Sequence, residues 1–122
     1  MRLMPLVLAA ALLGPAAVAR AAAPDGPVVV LTLKDHRFTP ASVTVPAGRA
    51  IRVELVNLDP ASEEFDSVDL GVEKDVTPHG RARFSVGPLK PGTYAFMGEL
   101  HADTAEGAFT AVAGPEATSP GR

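Results

Sequence analysis

The sequence predicts an all-β fold, an antiparallel sandwich or barrel, on three observations. Short apolar stretches recur along the chain, Pro and Gly punctuate them, and no long helical stripe appears anywhere. The stretches fall at 28–33, 42–45, 50–56, 82–86, 93–97 and 108–112. Alternation is clearest in Ile51-Arg52-Val53-Glu54-Leu55, where the apolar residues face one way and the charges the other, and recurs in Arg81-Ala82-Arg83-Phe84-Ser85-Val86. Pro46-Ala47-Gly48 and Lys90-Pro91-Gly92 are tight-turn signals, because Pro presets φ at the first turn position and Gly permits a positive φ after it. A short helical turn is expected over 103–107.

The flanks of this pattern carry an address. Arg2 precedes an uncharged, Ala- and Leu-rich run over 5–18, and the small residues Ala17, Ala19, Ala21, Ala22 and Ala23 offer cleavage registers between Ala19 and Pro24. That layout predicts a signal peptide over 1–23 and export to the periplasm. A membrane-spanning helix takes about 20 apolar residues, so no stable membrane insertion is expected after cleavage. Residues 24–113 are then one domain, of a size that buries a single core. Residues 114–122, rich in Pro, Gly, Ser and Thr, are expected to be a disordered tail.

Charge and chemistry narrow the function. Cleavage leaves 9 basic against 14 acidic residues, a balance that argues against nucleic acid as a partner and favours cations. The absence of cysteine removes disulfides, a Cys nucleophile, a thiolate metal site and an iron–sulfur cluster. There is no G-x-S-x-G elbow, no H-E-x-x-H and no Gly-rich phosphate loop, so hydrolase and nucleotide-dependent readings fall away.

Two polar segments near strand ends remain, 57–66 and 97–101. If the strand continues through the second, Met97, Glu99 and His101 alternate onto one face. A thioether, a carboxylate and an imidazole there could bind a transition metal, copper or iron. Glu63-Glu64 would add hard carboxylate ligands if it lies nearby. His36 and His79 have no periodic partner and read as surface residues. Taken singly, Met97 also fits a core position, His101 a solvated one and Glu63-Glu64 an acidic loop.

The order of features resembles the cupredoxin-like domains from about Val29 to Val112. The markers are Phe38-Thr39-Pro40, Val43-Thr44-Val45-Pro46-Ala47-Gly48, Val53-Glu54-Leu55-Val56-Asn57, and Pro91-Gly92-Thr93-Tyr94-Ala95-Phe96 leading to His101 and Gly107. The resemblance implies a Greek-key β-sandwich with its metal ligands delivered after the Pro-Gly-x-Tyr-x-Phe strand. Gly98 stands where blue-copper members have a thiolate, so simple blue-copper electron transfer is not expected. Glu64-Phe65-Asp66-Ser67, Leu70, Glu73-Lys74, Gly87-Pro88-Leu89-Lys90 and Glu99-Leu100-His101 are similar to one branch, the FtrB-like proteins and the N-terminal domain of EfeO. That branch implies a periplasmic accessory protein of iron uptake. It would bind copper or iron, assist oxidation of ferrous iron or its delivery to a permease, and carry the metal on Glu64, Met97, Glu99 and His101, with Asp66 and Glu73 as weaker candidates. Whether the chain is itself an enzyme, a copper-assisted ferrous-iron oxidase, stays open. The competing reading is a metal-free sandwich that docks on another envelope protein.

Overall fold

The computed structural model describes residues 26–114; the expected signal peptide, and all of the expected tail but Gly114, lie outside them. Among the described residues nine strands form the framework: β1 (Val28–Lys34), β2 (Arg37–Thr39), β3 (Ser42–Pro46), β4 (Ile51–Asn57), β5 (Glu63–Ser67), β6 (Val72–Val76), β7 (Arg81–Val86), β8 (Gly92–Gly98) and β9 (Glu106–Val112). They build two layers, a four-stranded sheet in the order β2-β1-β4-β7 and a five-stranded sheet in the order β3-β9-β8-β5-β6. No helix among the described residues is long and apolar enough to cross a membrane.

The all-β sandwich stands as expected, but its pairing is mixed. β1 runs parallel to β4, and β3 parallel to β9. A hairpin forces its two strands antiparallel, whereas strands joined through the other sheet are free to run the same way. β1 reaches β4 only after β3 has been laid in the opposite layer.

Each predicted stretch lies in a strand whose inward residues close the core. Leu31, Leu33, Ile51, Val53 and Leu55 come from one sheet; Val45, Phe65, Phe96, Phe109 and Ala111 come from the other. Phe96 sits at the centre of the aromatic packing, with ring centroids 4.9 Å from Phe65, 5.1 Å from Phe38 and 5.3 Å from Phe109. These spacings suit edge-to-face and offset contacts. The two ends of the sandwich close differently. At one, the turn at Gly48 (φ 83°) docks on the segment carrying Leu89, its N–H donating to the Leu89 carbonyl at 2.8 Å. At the other, three buried polar residues, Asn57, Asp59 and Glu63, gather beneath two turns.

Three strands had no apolar signature. β5 buries Glu63, Phe65 and Ser67 and turns Glu64 and Asp66 outward, so its inward face is polar at two positions of three. β2 is three residues long and β6 is mostly charged. The helical turn lies earlier than expected, as a single 3₁₀ turn over Glu99–His101.

Candidate functional site

The polar end is built from two turns that meet. The first joins β1 to β2, whose register pairs Lys34 with Arg37, leaving a two-residue loop of Asp35 and His36. Both have positive φ, 54° and 58°. That is what a type I′ hairpin turn requires, and it usually selects Asn and Gly. Left-handed backbone at a residue other than glycine costs on the order of 1 kcal/mol or more and persists where its surroundings enforce it.

The enforcement is visible. The Asp59 carboxylate accepts the Asp35 N–H at 2.6 Å and the His36 N–H at 2.9 Å. The Thr104 hydroxyl donates to the His36 carbonyl at 2.7 Å. Asp59 is itself positioned by Asn57, whose Oδ1 accepts the Asp59 N–H at 3.0 Å while its Nδ2 donates to the Ala61 and Thr77 carbonyls. Burial pushes the Asp59 carboxyl upward, but the His36 and Asp35 N–H groups and the charges of His36 and Lys34 together hold it below its ordinary value.

The second turn follows β8. Here Gly98 is required by close approach, because a Cβ on it would lie 2.6 Å from the Glu63 carboxyl carbon and 2.8 Å from the Ala105 Cβ. The Glu63 side chain fills that space and is fully buried. Its Oε1 accepts the Leu100 N–H at 2.8 Å and the Glu64 N–H at 3.0 Å, and its Oε2 lies 2.7 Å from Nδ1 of His101. An ionised carboxylate can only accept. With Glu63 ionised, Nδ1 of His101 therefore carries a proton, and in the neutral ring Nε2 keeps its lone pair.

The two turns touch through their imidazoles. The His36 and His101 rings stack with centroids 3.7 Å apart and planes 11° from parallel, and Nδ1 of His36 lies 3.5 Å from Asp59 Oδ2. Each ring thus has a buried carboxylate beside its Nδ1. His36 is consequently no isolated surface residue, contrary to expectation; nothing in its sequence spacing links it to His101, which it meets only because the two turns cap the same end. His79 is exposed, as expected.

The expected ligands divide between two faces. β8 ends at Gly98 and the chain then enters the 3₁₀ turn, so Met97, Glu99 and His101 do not share the face of one extended strand. Glu64 points outward from β5, and the carboxylate that meets His101 is its inward neighbour Glu63. Met97 lies in register with Asp66 on one side and Glu106 on the other, and Asp66 with Glu73. Glu99 is exposed. Among the described residues no group of three or more His, Asp or Glu side chains is placed to hold a metal ion.

This outer face is strongly acidic. The Glu64 carboxyl is raised above its ordinary value, first by burial and then by the negative charges of Glu99, Asp75, Glu73 and Asp66. A cation approaching the end of the sandwich meets that field before it meets an imidazole. A thiolate-containing donor set does not fit this end: the chain has no cysteine, and the room beside Gly98 is taken by Glu63. The polar side chains that meet at this end are imidazoles and carboxylates.

Comparison with known proteins agrees with the fold. The sequence model of the family described as "Cupredoxin-like domain" matches residues 3–111. An uncharacterized protein of Rickettsia prowazekii is 47% identical over 79 residues, covering 65% of this chain and 63% of that protein; the chain thus matches somewhat under two thirds of that relative's length. Among solved structures, auracyanin A, a "blue" copper protein from Chloroflexus aurantiacus, superposes with a TM-score of 0.61 at 12% identity, over 71% of this chain and all of that one. The metal-binding domain of the Cu(I)-exporting P-type ATPase CopA from Streptococcus pneumoniae, solved with Cu(I), gives 0.60 at 14% identity over 75% and 92%. At such identities the likeness is one of fold.

Proposed function

This chain belongs to the cupredoxin-like domain family, and from that premise we propose that it is a periplasmic metal-binding accessory protein, taking copper or iron and assisting ferrous-iron oxidation or delivery to a permease. The observation that carries the reading is the contact between Glu63 and His101 at 2.7 Å. Metal-ligating histidines almost always give their other ring N–H to a carboxylate or carbonyl, which fixes the tautomer and raises the basicity of the ligating nitrogen. Glu63 stands in that relation to His101.

In this reading His101 is the principal donor. Glu64, Glu99 and Met97, on the adjoining outer face, serve as further donors or as the acidic approach to it, and water or a partner protein completes the set. Imidazole and carboxylate are hard enough to suit Cu(II) or iron better than Cu(I). The bound ion would supply Lewis acidity or a redox couple; the chain supplies orientation of the imidazole and the field that concentrates cations. The similarity to the FtrB-like and EfeO branch is what points to iron uptake rather than to copper trafficking.

The test is titration of the purified mature domain with Cu(II) and, anaerobically, with Fe(II), with folding monitored by circular dichroism. Stoichiometric binding is expected, abolished in His101→Ala and weakened roughly 10- to 100-fold in Glu63→Gln. No binding to a folded domain would retire the metal reading and leave docking on another envelope protein in its place.

A further inference from the structure

We infer that His36 is a second imidazole ligand, so that His36 and His101 together make a two-histidine site for a divalent transition metal, completed by water, with Glu63 hydrogen-bonded behind His101 rather than ligating. The inference rests on the metal reading of His101 and adds to it a residue from a different turn and a different sheet.

Three observations carry it. First, the only two described imidazoles that meet do so face to face, at 3.7 Å, with no aromatic residue between them. Two like side chains that both want water or a hydrogen-bond partner gain little from that position unless something else uses them. Second, each has a buried carboxylate next to Nδ1, Asp59 for His36 and Glu63 for His101. For His101 the 2.7 Å contact fixes a proton on Nδ1 and, in the neutral ring, reserves Nε2; for His36 the 3.5 Å approach places a negative charge beside the ring without tying it down. Third, His36 is held where an ordinary sequence would place Gly. Its φ of 58° is imposed by the Asp59 carboxylate and the Thr104 hydroxyl. A left-handed residue so heavily enforced marks a position kept for its side chain.

The stacked pair is the closed form of the site. Rings only 11° from parallel do not aim their lone pairs at a common point, so an ion held by both requires one ring to turn. His101 is tied to Glu63 at 2.7 Å, whereas the His36 side chain is 42% exposed and its nearest carboxylate oxygen is at 3.5 Å. His36 is therefore the ring that swings. Imidazole donors suit copper and iron alike, and Cu(II) reports the bound nitrogens spectroscopically.

The experiment loads the mature domain with one equivalent of Cu(II) and counts coordinated imidazoles by electron spin-echo envelope modulation. It uses wild type, His36→Asn, His36→Gly and His101→Ala; Asn and Gly both accept positive φ, so the hairpin survives. Two imidazoles are expected in wild type and one in either His36 variant. One imidazole in wild type, unchanged by His36→Asn, would overturn the role of His36 while leaving the proposed function intact. Absence of Cu(II) binding by folded wild type would overturn both.

Discussion

The two ends of the sandwich solve the same closure problem with opposite materials. At the Leu89 end, apolar residues and backbone hydrogen bonds between turns cap the core. At the histidine end, the cap is Asn57, Asp59 and Glu63, all buried and all hydrogen-bonded; among the described residues no buried side-chain nitrogen or oxygen lacks a partner. An apolar cap stabilises in proportion to the area it hides, at any pH. A buried polar cap gives little net stability, is costly when any one member is lost, and follows protonation. Such a cap is a costly way to close a core, and it lies at the end where the two imidazoles meet.

The contrast is tested most severely at Glu63. Replacing it by Ala strands the Leu100 and Glu64 N–H groups and frees the His101 ring, and is expected to cost about 4 kcal/mol in denaturant unfolding. A loss under about 1 kcal/mol would mean that the polar cap is held from elsewhere. Asp59→Ala removes the acceptor for both left-handed residues and is expected to cost about 3 kcal/mol at neutral pH. Because the folded Asp59 carboxyl lies below the model-compound value of 3.8, its ionised form stabilises above that pH. The contribution fades as pH falls through the lower, folded value. The gap between wild type and variant should therefore close on acidification. At the opposite end Leu89→Ala is expected to cost about 2 kcal/mol, the same at pH 7 and pH 4; a pH-dependent penalty there would erase the distinction. The smallest effect belongs to the outer face. Glu64 is raised, so its charged form opposes folding once pH exceeds the unfolded value of 4.5. Glu64→Gln should raise Tm slightly at pH 7 and leave it unchanged below pH 4.5, as thermal melts at the two pH values would report.

Legibility in the sequence follows the same division. Strands whose inward residues are aliphatic or aromatic, such as β1, β4 and β8, are plain in the alternation of Leu31 and Leu33, of Ile51, Val53 and Leu55, and of Tyr94 and Phe96. β5 is not, because two of its three inward positions are Glu63 and Ser67, and a buried carboxylate has no hydrophobic signature. The resemblance puts Glu64 at an upstream ligand position, whereas the carboxylate that meets His101 is its neighbour Glu63: a one-residue difference in a strand exchanges the faces. His101 was legible from its place after the Pro-Gly-x-Tyr-x-Phe strand. His36 was not, since its only link to the site is a contact between turns from distant parts of the chain. A left-handed Asp-His pair, without the Gly that announces such turns, gives no local signal.

That long-range construction has a consequence for how the protein matures. Glu63 and His101 are 38 residues apart, and the Thr104 hydroxyl clasps a carbonyl 68 residues away. Contacts of such separation require the loops between them to close, and non-local contacts of this kind slow the folding of β topologies in general. The paired imidazoles do not exist in a half-folded chain, nor in either sheet alone. On the proposed reading, an ion held by the pair would report a molecule in which both sheets and both turns are in place.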